Sequence, residues 1–258
     1  MNFYVTQHKH YCGVDLHART MYVCVVSQQG VVLLHRNLPC EPSRFLAVIQ
    51  PYRDELVVGV ECIYTWYWLA DLCAKEGIAF VLGHALYMRA IHGAKAKNDR
   101  IDSHKTAALL RGGLMPQAYV YPAEMRATRD LMRRRLYFVR ERAALLAHIQ
   151  MTHHQYNLAT PGKCISYRSN REGIGEVFED ASVRESMAAD LALIDQYEKV
   201  VGELELAVLK CGRVHDPNAF RLLTTIPGIG RVLGLSLLRS TTSAGSPRWG
   251  TLPRTAGW

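Results

Sequence analysis

YCGVDLHARTMYVCVVSQQGVVLLHRNL, residues 11 to 38, alternates apolar runs with turn signals, and its reading decides the fold. YCGVDLH and TMYVCVVS read as two strands, and Gln28-Gln29-Gly30 as the turn into a third, VVLLHRNL. A meander of two or three antiparallel strands follows. Downstream, Pro42 to Gln50 suits a short helix. LVVGVEC, 56 to 62, suits a strand buried on both faces. YTWYWLADLCAKEG reads as a helix stopped by Gly77, and IAFVLG, 78 to 83, as another buried strand. Residues 85 to 91 form a short helix in this reading, and Asp99 to Arg111 a longer one before Gly112-Gly113.

Three strands, helix, strand, helix, strand, helix, helix is an α/β order. It predicts a mixed sheet with helices packed on it. The order matches the ribonuclease-H-like fold, and architecture alone leaves function open.

From Met125 the periodicity changes. Met132, Leu136, Val139, Ala143 and Leu146 recur at spacings of four and three, as do Leu193, Tyr197, Val200, Leu204, Ala207 and Cys211. Two long helices with narrow apolar seams are expected, as an antiparallel hairpin or a dimerising coiled coil. The intervening PGKCISYRSNREGIG, 161 to 175, reads as a loop. AFRLLTTIPGIGRVLGLSLLR, 219 to 239, reads as helix, PGIG turn, helix. The expected organisation is 1–122, 123–212, 213–239 and a disordered tail over 240–258, where Ser, Thr, Gly and Pro dominate.

The totals narrow the function classes. The chain has 258 residues, 49% hydrophobic, and a formal net charge of +8, which favours a polyanionic partner. No run approaches the ~18 apolar residues of a membrane span, and the N-terminus lacks the order of a signal peptide. Seven scattered cysteines without a CxxC pair read as reduced thiols in a cytoplasmic protein.

Within this frame four carboxylates draw together. Asp15 interrupts an apolar strand, and Glu61 ends the buried run LVVGVE. Sites in open α/β sheets gather at the carboxyl ends of strands. Asp99 and Asp102, three apart, share a helix face. Clustered carboxylates repel, and hard cations such as Mg²⁺ or Mn²⁺ relieve that repulsion. Two such ions suit phosphodiester chemistry. Local sequence also allows Asp99 to be the N-cap of its helix and Asp102 a first-turn charge. Both readings stand at this level, and they are compatible.

VGVDLHART, YVCVV, VVGVEC and above all KNDRIDSHK resemble the DEDD transposases of the insertion-sequence one-ten family, relatives of the Piv-type invertases. LLTTIPGIGRVLGL resembles the start of that family's C-terminal domain. The resemblance implies a RuvC-like domain in which Asp15, Glu61, Asp99 and Asp102 are the catalytic, metal-holding residues, with Mg²⁺ or Mn²⁺. It implies a transposase or site-specific recombinase that acts on DNA, is guided by a structured RNA and works as an oligomer. The family also uses a serine nucleophile beyond the PGIG turn. The last 19 residues do not resemble that continuation, so no serine is assigned and a truncated or frameshifted copy is expected. The alternatives are a non-catalytic nucleic-acid-binding remnant and a RuvC-like structure-specific nuclease.

Nucleic-acid contacts are expected from Lys95, Lys97, Arg100 and Lys105 around the aspartates. Arg133 and Arg134 on the basic helix are further candidates, with Gly228 and Gly230 in a helix-hairpin-helix-like turn. That turn also reads as an ordinary αα turn, and the basic helix as a solvated face. Tyr64, Trp66, Tyr67 and Trp68 read as packing on the sheet rather than base stacking. The histidines show no metal-ligand spacing and read as surface or polar contacts.

Overall fold

Along YCGVDL the side chains alternate, so Tyr11, Gly13 and Asp15 point to one side of the sheet and Cys12, Val14 and Leu16 to the other. That alternation builds two apolar layers. The computed structural model describes residues 2–91, 98–161 and 164–241. Its first compact unit spans Met1–Ala123, and the second begins at Glu124.

In the first unit a short strand, β1 (Phe3–Tyr4), precedes the meander β2 (His10–Leu16), β3 (Thr20–Ser27) and β4 (Val32–Pro39). Then come α1 (Pro42–Ile49), β5 (Leu56–Glu61), α2 (Tyr67–Lys75) and β6 (Ala79–Gly83). α3 (Ala85–Ile91), α4 (Asp99–Arg111) and β7 (Met115–Pro116) complete it. The main sheet has the order β4-β3-β2-β5-β6. The meander pairs antiparallel, while β2–β5 and β5–β6 pair parallel. This mixed α/β sheet is consistent with the ribonuclease-H-like fold expected from the element order.

One face buries Cys12, Val14, Leu16, Val58 and Val60 with Phe45 of α1 and Leu69 of α2. The other buries Tyr11, Val57 and Val81 with Ala107 and Leu110 of α4. α4 lies on the sheet because glycine leaves room for it. A Cβ on Gly13 would stand 2.1 Å from the Ser103 carbonyl oxygen and 2.3 Å from the Ala107 nitrogen. A Cβ on Gly59 would stand 2.5 Å from Leu110 Cδ1. The stretch after α4 contributes β7, which pairs with β1 through Tyr4 and Met115.

The second unit contains α5 (Ala123–Gln155, its first residue from the preceding unit), α6 (Ala181–His215), α7 (Pro217–Thr225) and α8 (Arg231–Thr241). α5 and α6 run antiparallel. Arg135 pairs with Glu205 at 2.8 Å, Arg142 with Glu198 at 3.5 Å and His148 with Asp190 at 2.6 Å. The buried seam of α6 is Met187, Ile194, Val201 and Val208, a seven-residue repeat. This corrects the sequence reading by one position, since Leu193 is exposed. Apolar pairs such as Leu193-Ile194 and Val200-Val201 leave the phase ambiguous by one residue, about 100° around the helix. On α5, Ala143 is likewise exposed. Its single methyl gains little from burial.

The segment after α5 is more than a loop. Ile165, Ile174 and Phe178 are buried against Ile149, Met187 and Ile194. Arg171, 6% exposed, donates to Asp195 at 2.6 Å, to Glu198, and to the carbonyls of Ile165 and Ser166, both at 2.9 Å. Between α7 and α8, the Ile229 amide donates to the Ile226 carbonyl at 3.0 Å, with Gly228 at φ +85°. Proline then glycine at the centre is the chemistry of a type II turn. α8 continues to Thr241, so the helical region passes the expected limit at 239; residues 242–258 lie outside the described residues.

Candidate metal centre

Asp15 is the penultimate residue of β2, on the face that α4 covers. The parallel register pairs Val14 with Val60, so Asp15 and Glu61 end neighbouring strands on the same face. Two bonds hold these strand ends in place: Thr65 Oγ1 donates to the Leu16 carbonyl at 3.0 Å, and the Cys62 amide to the Gly83 carbonyl at 2.8 Å.

α4 supplies the other two carboxylates. Its N-cap is Asn98, whose side chain accepts from the Arg100 amide at 3.0 Å. The capping role considered for Asp99 is therefore taken by its neighbour, because Asn98 holds the extended backbone and Asp99 already turns helically. Asp99 and Asp102 both lie in the first turn. The first turn is anchored from β4: His35 Nε2 donates to the Arg100 carbonyl at 2.8 Å, and its ring packs edge-on to Tyr22.

The cluster that forms has a member the sequence reading passed over. His17 Nε2 lies 3.3 Å from Asp15 Oδ2 and 3.4 Å from Asp99 Oδ1. Among the described residues, Asp15, His17 and Asp99 each offer one ligand atom, all within 4.8 Å of one another. Asp102 stands beside this trio, its Oδ1 3.1 Å from Lys105 Nζ. Glu61 stands next to Asp15 by strand register. Burial pushes the Asp15 carboxyl above its usual range; Asp99 and Asp102 add to this, against a downward pull from His17. A carboxylate so placed favours a proton or a cation.

These residues lie inside a longer match. A family profile for DEDD transposases of the IS110 type, described as "Transposase", matches residues 12–157. The chain belongs to this transposase family. The matched span begins in β2, contains every carboxylate just described and ends just beyond α5. No curated protein matches the chain.

The basic residues expected as nucleic-acid contacts divide. Arg100 is exposed beside Asp99, and Lys105 is engaged with Asp102. Lys95 and Lys97 lie outside the described residues. In the second unit Arg133 is exposed, and Arg134 lies over Tyr137 and Phe138, 5.3 and 5.0 Å from the ring centroids. Gly228 and Gly230 sit in the α7–α8 turn, where added Cβ atoms would meet nothing within 4 Å. After Glu61, Trp66 is core at 2% exposure, while Tyr64 is 82% exposed. No helix among the described residues is long and apolar enough to cross a membrane.

Spacing held one clue to His17. It stands two residues after Asp15, the repeat of one strand face. His35 gave no such clue, since its partner is a backbone carbonyl on an element 65 residues away.

Proposed function

We propose that Asp15, Glu61, Asp99 and Asp102 form the catalytic centre of a DNA transposase and hold Mg²⁺ or Mn²⁺ there. The family match supports the transposase function, and such families generally use a divalent metal. One observation carries the site: the strand that bears Asp15 runs under α4, with Gly13 against Ser103 and Ala107, just past the turn that holds Asp99 and Asp102. The donor set fits a hard cation, because carboxylate oxygens suit Mg²⁺ and Mn²⁺. When bound, such a cation supplies Lewis-acid polarisation of a phosphodiester and counter-charge for its oxygens.

The chain's own residues orient that chemistry. Asn98 satisfies the helix start, which leaves the Asp99 carboxylate available. Lys105 neutralises and orients Asp102. Arg100 provides positive charge for phosphate groups of DNA, and Lys95 and Lys97 serve as further phosphate contacts in this reading. In the second unit, Arg133, Arg134 and the turn at Gly228 and Gly230 contact nucleic-acid backbone, including a structured guide RNA. The long helices provide a face for a homo-oligomer. No serine nucleophile is assigned.

The test is incubation of the full chain with branched and element-end DNA in Mg²⁺ or Mn²⁺. Strand cleavage that Asp102→Ala abolishes is the expected result. DNA binding at full strength without metal-dependent product from any substrate would favour a nucleic-acid-binding role instead.

A further inference from the structure

From the geometry of its ring we infer that His17 Nε2 is a nitrogen ligand, alongside Asp15 and Asp99, of the divalent ion at this centre. The inference rests on the acidic-centre reading and goes beyond it by adding a donor of different chemistry.

Three observations support it. First, one nitrogen faces two carboxylate oxygens from two separate elements, at 3.3 and 3.4 Å. A good charge-assisted hydrogen bond is shorter, about 2.7–2.9 Å. Two donors at right angles on one ion, each about 2.1 Å from it, lie about 3 Å apart. The observed spacing is closer to that ligand edge than to an optimal ion pair. Second, the backbone that carries the ring is fixed: the His17 amide donates to the Thr20 carbonyl at 2.9 Å, closing the β2–β3 turn. Third, the ring is 46% exposed, so this placement is not imposed by core packing.

A nitrogen donor changes which ion the site prefers. Imidazole is preferred by the later transition ions and accepted by Mn²⁺ at the start of that series, whereas Mg²⁺ keeps an oxygen shell. His17 therefore adds to the preference of the centre for Mn²⁺ over Mg²⁺.

The experiment uses the full chain loaded with Mn²⁺ alone, read by pulsed electron paramagnetic resonance. Imidazole nitrogen coupling to the bound Mn²⁺ is expected in the unaltered protein and absent in His17→Ala. In His17→Ala, Mn²⁺ affinity measured by titration falls by about tenfold, and Mg²⁺ affinity stays within about twofold. Mn²⁺ bound without nitrogen coupling in the unaltered protein would overturn this inference and leave the acidic centre standing. Coupling that persists in His17→Ala would also overturn it, pointing to another histidine such as His35 or His104. Absence of any Mn²⁺ binding by the unaltered protein would overturn both readings together.

Discussion

Gly13 of β2 lies so close beneath Ser103 of α4 that an added Cβ would stand 2.1 Å from the Ser103 carbonyl oxygen. This contact sets the distance between the strand that carries Asp15 and the helix turn that carries Asp99 and Asp102. The clash is with backbone, so the helix itself must move. Gly13→Ala is expected to destabilise the first unit by about 3 kcal/mol and to abolish metal binding. Urea unfolding and metal titration check the two effects. An alanine variant that binds metal normally would show that the approach is looser than described.

The capping assignment gives a milder test. Asn98→Ala removes the side chain that accepts from the Arg100 amide. It is expected to cost about 1 kcal/mol and to weaken metal binding only through the looser first turn. Asp99→Ala is expected to do the reverse, with a small change in melting temperature and a large loss of metal affinity. Equal stability losses in the two variants would return the capping role to Asp99.

His35 predicts a pH dependence. Burial holds it below its ordinary value of 6.5, and the charges of Arg100 and His104 push the same way, against an upward pull from the Arg100 carbonyl. The fold therefore favours the neutral ring. Its contribution is complete above the unfolded value near 6.5 and is lost as pH falls through the lower folded value. Thermal melts between about pH 5 and 8 should show stability falling with acid, and His35→Gln should flatten that slope. An unchanged slope in the variant would remove His35 as its source.

Much of the first unit was legible because its signals are local. Alternation set the strands, and Gly77 stopped its helix as expected. The convergence of Asp15 with Asp99 followed from strand ends and helix phase. What was missed depended on contacts between elements. His17 joins the cluster only because the β2–β3 turn brings its ring over Asp99. The seam of α6 is offset by one residue because paired apolar positions fit two phases. The 161–175 stretch has no periodicity, so nothing in it signalled that Ile165 and Ile174 would be buried.

Arg171 tests the packed character of that stretch. Its guanidinium serves two carboxylates and two carbonyls from a buried position. Arg171→Ala leaves those acceptors unpaired and is expected to cost about 2–4 kcal/mol. Arg171→Lys recovers only part, since an ammonium lacks the planar fork. Denaturant unfolding of the full chain, followed by protease sensitivity near 165–175, measures the effect. A loss below about 0.5 kcal/mol would mean that the segment is an ordinary surface loop.

Divalent-ion binding by the carboxylates of β2, β5 and α4 underlies the proposed transposase centre. It is measured by calorimetric titration of the full chain with Mn²⁺, using the unaltered protein, Asp15→Ala and Asp102→Ala. Saturable binding by the unaltered protein is expected, and none by either variant, with both variants still folded by circular dichroism. Binding unchanged by both substitutions would mean that these carboxylates hold no metal.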